Sequence, residues 1–166
     1  MNPQEHPELD AFLSRLRRGD VLSGTVAAIE RFGVFVRLDD GPAHPLFPGV
    51  GFVTAPELTW RHVFDMSDVV AVGERVTGEF LQYDTWNMEA RLSLKALQPD
   101  PLRSFAAGQE FRGTVSKVVP FGVFVRIADG VEGLIADPDL ALVGEEVDVV
   151  ITDVDLPRRR LVLSVR

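Results

Sequence analysis

Apolar and polar positions along most of this chain alternate in short runs broken by Gly, Pro and Asp. That period of two is the signature of half-buried strands. In the second half the runs predict strands over 109–118, 122–128, 132–135, 146–154 and 160–165. One segment near the start breaks the rule. Leu9, Phe12, Leu13 and Leu16 recur at helical spacing and Gly19 offers a stop, so a short amphipathic helix is expected there, packed on the strands after it.

The strand pattern occurs twice. Gly19-Asp20-Val21-Leu22-Ser23-Gly24-Thr25-Val26 returns as Gly108-Gln109-Glu110-Phe111-Arg112-Gly113-Thr114-Val115. At the same offset Phe32-Gly33-Val34-Phe35-Val36-Arg37-Leu38 returns as Phe121-Gly122-Val123-Phe124-Val125-Arg126-Ile127. Val72-Gly73-Glu74 then matches Val143-Gly144-Glu145, and each copy closes on a strand, Arg91-Leu92-Ser93-Leu94 and Arg160-Leu161-Val162-Leu163-Ser164. Repetition at a fixed offset means one structural unit used twice. Five short strands per unit point to an all-β protein of two small barrels in tandem, preceded by a short helix. The expected organisation is an N-terminal helix or arm over 1–18, a first barrel over 19–97, a linker over 98–107 stiffened by Pro99 and Pro101, and a second barrel over 108–166. The copies differ between their second and fourth strands. Copy one inserts residues there, with Pro42, Pro45, Pro48 and Pro56, which read as loop with one helical turn near Glu57–His62.

The second strand of each copy carries the candidate chemistry. A small barrel fills its interior with aliphatic side chains, so Val34, Val36 and Leu38, and Val123, Val125 and Ile127, are expected inside. That leaves Phe35 beside Arg37, and Phe124 beside Arg126, on the outside. An outward Phe next to an Arg suits an unpaired base, which stacks on the ring while the cation meets phosphate. Phe32 and Phe121, just before a glycine at the start of the strand, extend that platform. The alternative is that these rings pack against a neighbouring barrel or the long loop.

Composition narrows the classes. The 166 residues are 46% hydrophobic, with no cysteine and a net charge of −8. Disulfides, thiolate-bound zinc and thiol catalysis are excluded. No apolar run approaches membrane-spanning length, and Met1 to Pro7 lack the layout of a signal peptide, so a cytoplasmic location is expected. His6, His44 and His62 are scattered without metal-ligand spacing, and no nucleophile–base constellation or phosphate-binding loop occurs. No catalytic residue, cofactor or metal is expected. Neither half of the chain is basic overall, so any nucleic-acid site must be a local patch.

Taken together, Gly-x-x-x-x-Gly-Thr-Val, Phe-Gly-Val-Phe-Val, Val-Glu-Gly-Leu-Ile, Val-Gly-Glu-x-Val and Arg-Leu-x-Leu-Ser resemble the S1 RNA-binding domain family over residues 19–166. So do the join Leu92 to Pro101 and the segment Glu57-Leu58-Thr59-Trp60-Arg61. The resemblance implies five-stranded OB-fold barrels that bind single-stranded RNA. Its site uses two aromatics on and before strand two, a His after strand three, and an Asp and an Arg around the last turn. Carried over, it implies Phe32, Phe35, Asp84 and Arg91 in copy one and Phe121, Phe124, Asp155 and Arg160 in copy two. The His is absent from both, with Thr54 and Ala136 in its place.

The loops beside that face add candidates. Arg158-Arg159-Arg160 in the last turn of copy two is the best local phosphate-binding feature, unless it only balances Asp153 and Asp155. In copy one the same turn holds Trp86, which is either a stacking residue or a clasp onto the barrel. Trp60 and Arg61, with His62, lie where they could replace part of the missing His. The expected function is single-stranded RNA binding in bacterial translation or RNA metabolism, with the ribosome or RNA-processing proteins as further partners, no membrane, and nothing that demands more than a monomer. The rival is a protein-docking module that kept the fold and lost RNA affinity, which the acidic charge and missing histidines suit.

Overall fold

The computed structural model describes residues 1–166, which divide into two compact units, Met1–Pro99 and Asp100–Arg166. Each is a closed five-stranded barrel. The first is built from β1 (Val21–Glu30), β2 (Gly33–Leu38), β3 (Gly51–Val53), β4 (Arg75–Asp84) and β5 (Glu89–Ser93). The second uses β6 (Glu110–Val119), β7 (Gly122–Ala128), β8 (Val131–Ile135), β9 (Glu146–Asp155) and β10 (Arg160–Val165). The neighbour order β1-β2-β3-β5-β4 repeats as β6-β7-β8-β10-β9, with the third and fifth strands parallel in both. This is the OB-type Greek-key barrel that the strand pattern implied.

The same irregularities close both barrels. The register of β1 on β2 slips between Val26 and Ala28, and that of β6 on β7 between Val115 and Lys117. The long fourth strands, β4 and β9, carry matching slips against β5 and β10. A bulge adds one residue to one strand and sharpens its twist, which lets a ten-residue strand pair with two neighbours around a small cylinder.

Inside, the aliphatic prediction holds for most positions. Val34, Val36 and Leu38 are buried, as are Val123 and Val125. Ile127 is only partly so, packed at the edge of the second core. The floor of each barrel is closed differently. In the first, helix α1 (Pro7–Ser14) inserts Leu9 and Leu13 into the core, and the Tyr83 hydroxyl donates to the Asp10 carboxylate. In the second, a single 3-10 turn at Pro101–Ser104 supplies Leu102, and Phe105 packs against Phe111. Asp100 caps that turn by accepting from the Leu102 amide. Helix α2 (Ala55–Leu58) lies earlier than the turn expected near Glu57–His62, because Pro56 fits the first turn of a helix and Thr59 is already extended.

Candidate nucleic-acid interface

In each barrel the outward residues of the second, third and fifth strands form one face. Register shows what stands on it. In the first barrel Phe35 on β2 pairs with Phe52 on β3, which pairs with Arg91 on β5. The row therefore reads Phe, Phe, Arg. Phe32, just before β2, is 65% exposed and stacks on Phe52 with centroids 5.9 Å apart and planes at 23°. The Arg91 guanidinium lies 4.7 Å from the Phe52 ring centroid and donates to Asp84 at 2.9 Å. Gly33 allows this packing, since a Cβ there would run into the Phe52 ring.

Phe35 does not behave as expected. It faces outward, yet only 4% of it is exposed. Phe52 meets it edge-on at 5.1 Å, and Phe47, from the proline-rich insertion between β2 and β3, stacks on it at 5.4 Å and 26°. His44 in turn packs on Phe47 at 4.7 Å. The ring is a covered residue, and the alternative of packing against the long loop is the one realised here. Arg37 stays exposed and lines a cleft of about 360 Å³ with Asp39, His44 and Phe47.

The second barrel keeps the geometry without the cover. Phe121 is 62% exposed and meets Phe124 edge-on at 6.4 Å and 85°, close to the 6.0 Å and 84° of Phe32 and Phe35. Phe124 is half-buried and Arg126 exposed. Along the row, Phe124 pairs with Leu134 and Leu134 with Val162. Phe, Leu, Val thus replaces Phe, Phe, Arg. The connection from β7 to β8 is only Asp129-Gly130, too short to fold back over the rings.

The last turn of each barrel has one backbone in two sequences. Asp84 pairs across it with Glu89, and Asp155 with Arg160. Met88 and Arg159, each one residue before the fifth strand, take φ of 53°. Asp84 accepts from the Trp86 and Asn87 amides, and Asp155 from the Arg158 amide. This register corrects the carry-over of Arg91. Glu89, not Arg91, stands where Arg160 stands, and Arg91 stands where Val162 does. Both are on the outward face, so Arg91 still joins the aromatic strip, but from a different place.

Glu89 was not singled out by the sequence. It faces outward but is 3% exposed, and its Oε2 has no hydrogen-bond partner. Burial, helped by the Asp84 charge and opposed by Arg91, pushes its carboxyl up to about 7. Burial also works against ionised Asp84, but the bonds from Arg91, Asn87 and Trp86 outweigh it and hold that carboxyl below its usual range.

The remaining candidates separate. Arg158 lies 3.9 Å from Asp155, and Arg159 donates to Asp100 at 2.6 Å, so it is turned toward its own barrel's first turn and away from the role expected of it. Arg160 is exposed at the start of β10. Trp86 is 81% exposed at the tip of the first barrel's turn, which rules out the clasp. Trp60 is engaged instead: its ring lies under the Lys95 ammonium at 4.8 Å and its N–H donates to the Gln98 carbonyl. Arg61 is exposed beside it. Thr54 leads into α2 and borders a cleft of about 260 Å³ with Arg18, Phe52, Gln82 and Arg91, while Ala136 is exposed past β8. Phe47, Phe52 and Leu134 also went unnoticed in the sequence. Phe52 was discoverable, because the alternation Gly51-Phe52-Val53 turns it outward.

The S1 RNA binding domain profile matches twice, over residues 15–95 and 104–166, one match per barrel. The chain belongs to the S1 RNA-binding domain family. The small ribosomal subunit protein bS1 of Mycobacterium tuberculosis H37Rv is 41% identical over 171 aligned positions, covering 93% of this chain and 34% of that protein. The bS1 protein of Staphylococcus saprophyticus is 35% identical, covering 95% of this chain and 42% of its own length. The chain thus spans well under half the length of the curated relatives it matches. Among solved structures, GSP13 from Bacillus subtilis is 26% identical over 55% of this chain and 65% of its own, at a TM-score of 0.42. No helix is long and apolar enough to cross a membrane.

Proposed function

We propose that this S1 pair binds single-stranded RNA without catalysing a reaction, and that the second barrel carries most of the affinity. The observation behind this is the open edge-on pair Phe121–Phe124, with exposed Arg126 two residues along β7, opposite Glu132, and exposed Arg160 at the start of β10, in a family named for RNA binding. A base stacks on Phe121 or Phe124, the neighbouring base follows the strand, and the two arginines meet the phosphates between them. Leu134 and Val162 offer apolar contact but no hydrogen bonds, so recognition is by stacking and charge with little base preference. Similarity to bS1 proteins supports a role for that binding in translation, in the cytoplasm, with the ribosome as partner; the chain acts as a monomer in this reading, since the proposed site needs no second copy.

The test is fluorescence anisotropy of a labelled single-stranded RNA of about a dozen nucleotides, at low and at physiological salt. Binding that weakens with salt and is lost on Phe124→Ala is the expected result. Absence of binding at both salts would overturn the reading and leave the protein-docking role, which the net charge of −8 suits.

A further inference from the structure

The insertion between β2 and β3 does to Phe35 what an RNA base would do. Phe47 lies nearly parallel to the ring, and His44 continues the stack. We propose that the proline-rich insertion is a built-in plug for the first barrel, Phe47 occupying the place of a base on Phe35 and keeping that face closed until the insertion swings away. This deepens the RNA-binding reading and rests on it.

Three features support a cover that detaches over a permanent core. First, the insertion is weakly tied. Residues 40–49 lie outside every helix and strand and make no backbone–backbone hydrogen bond. A segment integrated into a core would satisfy its amides there. Second, its hydrogen bonding is concentrated in one side chain. His44 Nδ1 accepts from the Leu46 and Phe47 amides, which fixes the proton on Nε2, and Nε2–H donates to the Asn87 carbonyl at 2.9 Å. That ring thereby reaches the last turn of the barrel, at Asn87 and Met88, and the two amide bonds hold Phe47 over Phe35. Third, the zone beside this latch is not finished as a core. Glu89, two residues after Asn87, is buried with Oε2 unpartnered, and the buried Arg91 Nε is unpartnered as well. Buried polar atoms normally find partners. Two orphans beside the latch mark polar surface under a cover more than finished core.

The second barrel is the natural control. Register aligns Gly51 with Gly133, so residues 40–48 occupy the place of Asp129-Gly130. There the equivalent ring, Phe124, is half-open.

The experiment uses the full chain carrying Phe121→Ala and Phe124→Ala, so that the second site is silent, and the labelled dodecamer RNA at low salt. Onto this parent are placed His44→Ala, Phe47→Ala, or an Asp-Gly turn in place of residues 40–48. The turn graft should bind about tenfold tighter than the parent, and the two single substitutions should gain a smaller part of it. Adding Phe35→Ala to the graft should abolish the gain, which a general loosening of the barrel would not. Folding is checked by circular dichroism and a cooperative melt, and Phe47→Ala carries the test if the graft does not fold. Folded variants that bind no better than the parent, or a gain that survives Phe35→Ala, would overturn the proposal. Failure of the RNA reading itself looks different: the unsubstituted chain would not bind and the second-barrel substitutions would change nothing.

Discussion

The two barrels share topology, bulges, last-turn backbone and the edge-on Phe pair, and yet their ligand faces are opposites. The first is richer in the chemistry of base recognition, with Phe32, Phe35, Phe52 and Arg91 in contact, but its central ring is 4% exposed. The second has a poorer row, Phe124, Leu134 and Val162, and leaves it open. The difference lies in the loop after the second strand: a Pro-rich insertion in one case, Asp-Gly in the other. A binding face is therefore set by two separate things. Strand register decides which side chains point outward, and loop length decides whether anything reaches back to cover them.

Several substitutions act on one side of this comparison. The largest effect is expected from Leu13→Ala. That side chain of α1 is fully buried in the first core, and such truncations cost about 2–5 kcal/mol. Thermal unfolding should show the first unit melting earlier with the second unchanged, since the second is closed by Leu102.

Next comes Glu89→Gln, which tests the buried carboxyl that has no counterpart in the second barrel. Its folded pKa is near 7 against an ordinary 4.5, so the folded state prefers the protonated form. Stability from this group is full below about pH 4.5 and is lost as pH rises toward 7. The variant should gain about 2–3 kcal/mol over the natural chain at pH 8 and nothing near pH 4, read as a difference in unfolding free energy at each pH. His44 runs the other way, because burial lowers its pKa below 6.5 and folding favours its neutral form. Taking the difference between variant and natural chain removes that contribution. An unchanged difference across pH 4–8 would mean Glu89 is not buried as described.

For RNA affinity the order should be Phe124→Ala well ahead of Phe35→Ala. Loss of a stacked base costs about 1–3 kcal/mol, whereas a covered ring has no base to lose. Titrations giving the reverse order would place the working site on the first barrel. The smallest effect is expected from Arg160→Ala. Removing one phosphate contact should flatten the dependence of log K on log salt by about 0.7, with a modest loss of affinity. Arg159→Ala should leave that slope unchanged, because its guanidinium is held by Asp100.

How far the sequence could be read varies by residue. The second-barrel strands fall within about a residue of 109–118, 122–128, 132–135, 146–154 and 160–165, because alternation and turn residues are local signals. The pairing of Arg91 with Arg160 failed because Arg-Leu occurs in both last strands two positions out of step. Only the cross-strand partners, Asp84 with Glu89 and Asp155 with Arg160, fix the true register. The arginine cluster was legible as charge but not as direction. Arg159 sits at positive φ and turns to Asp100, a residue far from it in sequence.

By itself, then, the sequence determined the repeat, the two five-stranded barrels, the inward Val and Leu positions and the outward Phe and Arg, since each follows from spacing within a few residues. The tertiary structure alone decided which outward rings are available. Cover is a long-range property: Phe47 reaches Phe35 from a loop without periodicity, Phe52 from the neighbouring strand, and Asn87 anchors His44 from the turn between the fourth and fifth strands. No local pattern encodes those meetings, because only closing the barrel brings the three segments to one face.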